Sequence, residues 1–149
     1  MANTYIQDIL RGVEARLVSE LPHAVTVTST IKGSETFAEA MVRPPAVVIV
    51  LEGASAFEPG RPMGDARKTE QFTLGLAVFA SVDLHLPTGE DLSSLLPMIR
   101  KALTPQTGFK PEAACSLLAW QGWSVEEVIP GGLVVRDEYT FTRSPQATD

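Results

Sequence analysis

The sequence predicts an α+β fold: a single domain with a mainly antiparallel mixed sheet of about five strands, packed with two helices in the order α-β-β-β-α-β-β. Three observations carry this expectation. Two segments, Thr4–Glu20 and Thr88–Thr104, space their apolar residues at the helical period. Five other runs are rich in β-branched and aromatic residues or alternate apolar with polar. Hairpin-length links dominate the second half, which favours antiparallel pairing there.

In the first helix Ile6, Ile9, Leu10, Val13 and Leu17 form one apolar stripe, Asn3 or Thr4 stands at the cap position, and Pro22 lies just past the end. Gly12 weakens such a helix by about 1 kcal/mol relative to alanine unless it marks a close approach. The stretch "AVTVTSTI" then alternates Val25, Val27 and Ile31 against Thr26, Thr28 and Thr30, the pattern of a half-buried strand. The second strand is "PPAVVIVL", apolar on both alternating faces, so it should be covered on both sides, with pairing starting near Ala46 because of the prolines. The third, "EQFTLGLAVFA", turns Phe72, Leu74, Leu76 and Val78 to one face and the smaller Gln71, Thr73, Gly75 and Ala77 to the other.

The second helix carries Leu92, Leu95, Leu96, Ile99 and Leu103 as its stripe, with Glu90 and Asp91 at the positive end of its dipole and Arg100 and Lys101 at the negative end. Pro97 should bend it or delay its regular part to Leu96. After the link Thr104–Pro111, the strands "SLLAWQGWSVEEV" and "LVVRDEYTFTR" flank the turn signal "IPGG" and make a hairpin. Residues 1–149 fit one domain, and residues 144–149 are expected to be a disordered tail.

Composition narrows the function. A net charge of −6 argues against non-specific or sequence-specific nucleic-acid binding, which needs a basic footprint. No apolar run reaches the ~20 residues of a membrane-spanning helix, and no signal-peptide core opens the chain. One cysteine, Cys115, excludes an intrachain disulfide and suits a reducing compartment. His23 and His85 are the only histidines, so no local cluster supplies a zinc site, and the expectation is no metal and no cofactor. Asp83 and His85 in "DLH" could orient an imidazole, but the polar end of a strand before Pro87 is the favoured reading. Cys115, in the apolar "EAACSLLAW", suits a packed thiol better than a nucleophile. The glycines of "GASAFEPG" and "GRPMGD" match no phosphate-binding loop. No catalytic residue is assigned, and the expectation is a protein that is not an enzyme.

Two features stand out. Asp137 shares a strand face with Leu133, Val135, Tyr139 and Phe141, as a buried acid, a bulged residue or one half of an ion pair. Trp120 and Trp123 are three apart, so a regular strand would point them to opposite faces, one to the core and one to the surface or an interface. The long segment Gly53–Thr69 is expected to be a loop, mobile in the free subunit. Phe57 and Met63 could anchor a partner there, beside the charges of Glu58, Arg61, Asp65, Arg67 and Lys68.

The succession of "YIQDILRGVEARLVSEL", "PPAVVIVLEG" with its polar loop, "QFTLGLAVFA", "DLSSLLPMIRKAL" and "GGLVVRDEYTFTR" resembles the tail terminator proteins of long-tailed phages, particularly the Mu-like and related prophage set. The resemblance spans Thr4 to Arg143. It implies a mixed α/β subunit that forms a homo-oligomeric ring, a hexamer in the family. That ring caps the tail tube and joins it to the head-completion protein, with the virion tail as its location and no cofactor. Two alternatives accompany it: another phage neck or tail-completion protein, and a small-molecule-binding or enzymatic α/β domain using Asp83, His85 and Asp137.

Overall fold

A computed structural model describes residues 4–31, 43–56, 69–82, 89–104 and 107–145. Helix α1 (Tyr5–Glu20) leads into strands β1 (Thr26–Ile31), β2 (Ala46–Ala56) and β3 (Glu70–Ala80). Helix α2 (Leu92–Leu103) follows, then β4 (Ala119–Ile129) and β5 (Gly132–Arg143). The element order is the one the periodicities predict. The five strands form one mixed sheet in the order β1-β2-β3-β5-β4. Only β1 and β2 pair in parallel; the β2–β3, β3–β5 and β4–β5 ladders are antiparallel.

The core lies between the helices and one sheet face. Ile9, Leu10, Val13 and Leu17 of α1 and Leu92, Leu95, Leu96, Ile99, Ala102 and Leu103 of α2 are buried. They meet Val47, Ile49 and Leu51 of β2, Phe72, Leu74, Leu76 and Val78 of β3, and Val135, Tyr139 and Phe141 of β5. Phe72 and Phe141, partners in the ladder, stack with centroids 5.2 Å apart. On the opposite sheet face Ala46, Val48, Val50, Phe79 and Val134 make a second buried cluster. The run Val47–Leu51 is therefore buried on both faces, as its unbroken apolar character requires.

α1 packs over β1 and β2, and α2 over β3. The Ser29 hydroxyl donates to Glu14 across 2.9 Å, and the Arg16 Nε donates to the Ala102 carbonyl across 3.0 Å, tying α1 to β1 and to α2. α2 runs unbroken through Pro97 and starts at Leu92, earlier than the proline alone suggested. Buried Asp91 precedes it. Its main-chain carbonyl accepts from Leu95 at 2.9 Å, and its carboxylate accepts from the Ser93 and Ser94 hydroxyls, which holds its pKa below the ordinary value.

Two boundaries differ from expectation. β2 does not give way to loop at Gly53: the ladder shifts by one residue between Leu51 and Gly53, and pairing continues from Gly53 with Thr73 to Ala56 with Glu70. Glycine, at φ 155°, follows the extra residue of this bulge, so it marks an irregularity within a strand and not its end. β4 begins at Ala119. Residues 115–118 instead join β5 by a single bridge from Cys115 to Arg143 and by Ser116, whose N–H donates to the Thr142 carbonyl and whose hydroxyl accepts from the Thr142 N–H. Of the expected tail, Ser144 N–H donates to the Ala114 carbonyl, and residues 146–149 lie outside the described residues.

Gly12 is a close approach. A Cβ built there would lie 2.0 Å from the Pro111 carbonyl oxygen, which belongs to main chain and cannot rotate away. Gly12→Ala should therefore destabilise the fold by about 1–3 kcal/mol through overpacking, against the ~1 kcal/mol gain that helix propensity alone would give. The midpoint of urea denaturation reads the sign directly.

Candidate interaction surface

β4 forms one edge of the sheet and carries two ladder irregularities, at Gln121 and at Glu126. The first reverses the side-chain alternation. Trp120 pairs with Tyr139, Gly122 with Glu138, and Trp123 with Asp137, so both tryptophans face the side of the sheet that bears the helices. Gly122 takes φ +122°, a conformation that other residues rarely adopt, and thereby permits the bulge. The expectation of opposite faces for Trp120 and Trp123 is thus corrected, and with it the expectation that one lies in the core: they are 41% and 48% exposed. Val125 and Val128, opposite Val135 and Leu133, continue the same face and are 51% and 77% exposed. An apolar strip of four side chains runs along a sheet edge.

One end of the strip is fixed from below by Asp137. This residue is 1% exposed, and its carboxylate accepts the Trp120 indole N–H at 2.7 Å and the Tyr139 hydroxyl at 2.9 Å. Burial pushes the Asp137 pKa up, while the Trp120 and Tyr139 bonds and the charge of Arg100 hold it down. Tyr139 is itself pushed upward, by burial first and then by the Asp137 charge. The Arg100 guanidinium, projecting from α2, lies 3.9 Å over the Trp120 ring in a cation–π contact. Its Nε is buried and has no hydrogen-bond partner among the described residues. Both oxygens of the buried Asp137 carboxylate are thus occupied in orienting Trp120 and Tyr139.

Two further polar clusters brace the sheet. Arg143, 3% exposed, donates to both carboxylate oxygens of Glu112 at 2.9–3.2 Å and lies 4.2 Å over the Tyr5 ring. Tyr5 in turn donates its hydroxyl to Glu70 at 2.9 Å. Beside this pair, burial and the Glu112 charge push the Cys115 thiol up to about 12, and the side chain is almost fully covered. On the opposite sheet face Arg136 bridges Glu52 and Glu138 over Gly75. A Cβ on Gly75 would come 2.5 Å from a Glu52 oxygen, so the absent side chain makes room for that bridge.

The suspected partner loop, with Phe57, Glu58, Arg61, Met63, Asp65, Arg67 and Lys68, lies outside the described residues, as do Asp83 and His85. An open cleft of about 280 Å³ is lined, among the described residues, by Pro44, Pro45, Ser81, Glu90, Pro130 and Gly131, which include a single carboxylate and no second charged group. Among the described residues no group of three or more His, Cys, Asp or Glu converges to hold a metal ion, and no helix is long and apolar enough to cross a membrane. The strip on β4 was hidden from a reading of strand alternation. Its signal is the glycine at position 122, which allows the bulge between the two tryptophans.

Comparison with models of known protein families and with curated proteins yields no match.

These clusters have measurable consequences. Trp120→Phe removes one donor from buried Asp137 and should cost about 1–3 kcal/mol. The folded pKa of Asp137 lies above its ordinary 3.8, so the fold disfavours the ionised form, and stability attached to the protonated group is lost as pH rises through the raised value. Wild-type protein should accordingly gain stability relative to Asp137→Asn as pH is lowered from neutrality through that value, measured as urea midpoints across the pH series. Cys115 should resist thiol reagents at pH 8 in the native protein and react promptly once denaturant unfolds it, because both burial and a high pKa suppress the thiolate.

Proposed function

We propose that this chain is a structural subunit of phage tail assembly, a tail terminator whose ring of six copies caps the tail tube. In this reading the ring offers its other face to the head-completion protein, works in the virion tail, and is assembled in the host cytoplasm without cofactor or catalysis. The observation that carries the reading is the apolar strip Trp120–Trp123–Val125–Val128 on an edge strand of the sheet. Exposed aromatic and aliphatic side chains in a contiguous row, on a strand with one ladder partner among the described residues, suit a protein partner and not a small molecule. The mixed sheet packed with two helices also agrees with the mixed α/β subunit that the resemblance to tail terminators implies.

A small-molecule site built on Asp137 has less support, since both of its oxygens accept hydrogen bonds from within the protein. Electron microscopy of the purified protein mixed with tail-tube subunits tests the proposal. Rings seated on tube ends and tubes of limited length are expected for the wild type, and uncapped tubes for Trp123→Glu. Tubes that grow equally long with and without the protein would rule the function out.

A further inference from the structure

The apolar pattern of β4 is symmetric about Ser124. In "WQGWSVEEV", Trp123 and Val125 stand one residue to either side of Ser124, and Trp120 and Val128 stand four residues to either side. All four side chains face the helix-bearing side of the sheet, and Ser124 is exposed. An edge strand with this symmetry is complementary to itself. Turned by a two-fold axis normal to the sheet at Ser124, a second β4 runs antiparallel to the first and presents its strip on the same side. Trp123 then opposes the second copy's Val125, and Trp120 opposes its Val128. Each aromatic meets a β-branched residue, a favourable cross-strand combination.

The charges do not oppose this placement. Glu126 and Glu127 occupy one half of β4, while the Arg100 guanidinium stands over Trp120 in the other half. Antiparallel pairing brings the second copy's Glu126 and Glu127 opposite the uncharged Gly122 and Gln121, with Glu127 on the sheet face away from the strip and the Arg100–Trp120 stack. It so sets no like charges directly against each other and puts no carboxylate of Glu127 into the apolar contact. The geometry points to a second copy of this chain as the occupant of the strip: an isologous dimer in which two β4 strands join two five-stranded sheets into one. An isologous contact is closed, since it uses the same patch on both partners and cannot propagate. The proposal shares with the terminator reading only the view that the strip binds protein, and it concerns the free chain without tube or ring.

Sedimentation of the full chain by itself should therefore show a concentration-dependent monomer–dimer equilibrium. Trp123→Glu and Val125→Lys should each sediment as monomers at concentrations where the wild type is dimeric. Mixing the two variants should restore a dimer. On one side of the axis the heterodimer sets the introduced carboxylate against the introduced ammonium, and on the other it keeps a native Trp–Val pair. Ser124→Cys gives an independent reading. Directly opposed antiparallel residues lie about 4.5–5.5 Å apart between Cα atoms, within disulfide range. Mild copper–phenanthroline oxidation should thus cross-link this variant into covalent dimers, while Cys115 is shielded by burial. A monomeric wild type, single variants that remain dimeric, a mixture that stays monomeric, oligomers growing beyond the dimer, or no Ser124→Cys cross-link would each overturn the pairing. Loss of dimer formation with tube capping intact would leave the terminator reading standing; dimer formation with no effect on tubes would do the reverse.

Discussion

The width of two helices set against the width of five strands governs much of this structure. Helices pack about 10 Å apart, so a side-by-side pair covers about 20 Å of sheet, roughly four strands at about 4.8 Å spacing. α1 packs over β1 and β2, α2 over β3, and the core they enclose reaches Val135, Tyr139 and Phe141 of β5. β4 lies one strand further out. Its helix-side residues begin in the core's shadow, where Arg100 reaches Trp120, and continue into solvent at Val125 and Val128. The exposed strip is thus a result of layer geometry as much as of sequence composition. The same α2 helix that fails to cover β4 supplies the cation that rests on its first tryptophan.

Polar interactions sit where this layering leaves gaps. Asp137 lies on the helix-side face of β5 beside the edge strand, and it is satisfied by two donors: Tyr139 within its own strand and Trp120 from β4. Arg143 and Glu112 close the end of β5 against the N-terminal turn of α1 through Tyr5. Such pairs stabilise modestly once desolvation is counted, and their main effect is to fix which segments meet. Gly75 and Gly12 make the complementary contribution, as places where the absence of a side chain admits a carboxylate or a carbonyl.

Most of the architecture was legible in the sequence because periodicity reports burial, and burial determines element type. The stripes of α1 and α2, the doubly covered Val47–Leu51 run and the Gly131–Gly132 turn all read directly. Bulges were not legible. Alternation arguments assume one residue per ladder step, so an extra residue at Gln121 exchanges the predicted faces, and another at Glu52 lets β2 continue past an apparent stop. Asp137 was recognised as anomalous from its own strand. Its partner Trp120 depended on cross-strand register, which no local pattern encodes.

The position of β5 has a consequence for how the chain is made. β5 pairs with β3 on one side and β4 on the other, so the segment synthesised after β4 enters the sheet inside it. Until Gly132–Arg143 has emerged from the ribosome, β3 presents an unpaired edge flanked by Phe72, Leu74, Leu76 and Val78, and β4 lacks the strand it pairs with. A chain in which β5 has not yet joined the sheet therefore carries an open strand edge beside an apolar face, the kind of surface that invites non-native pairing.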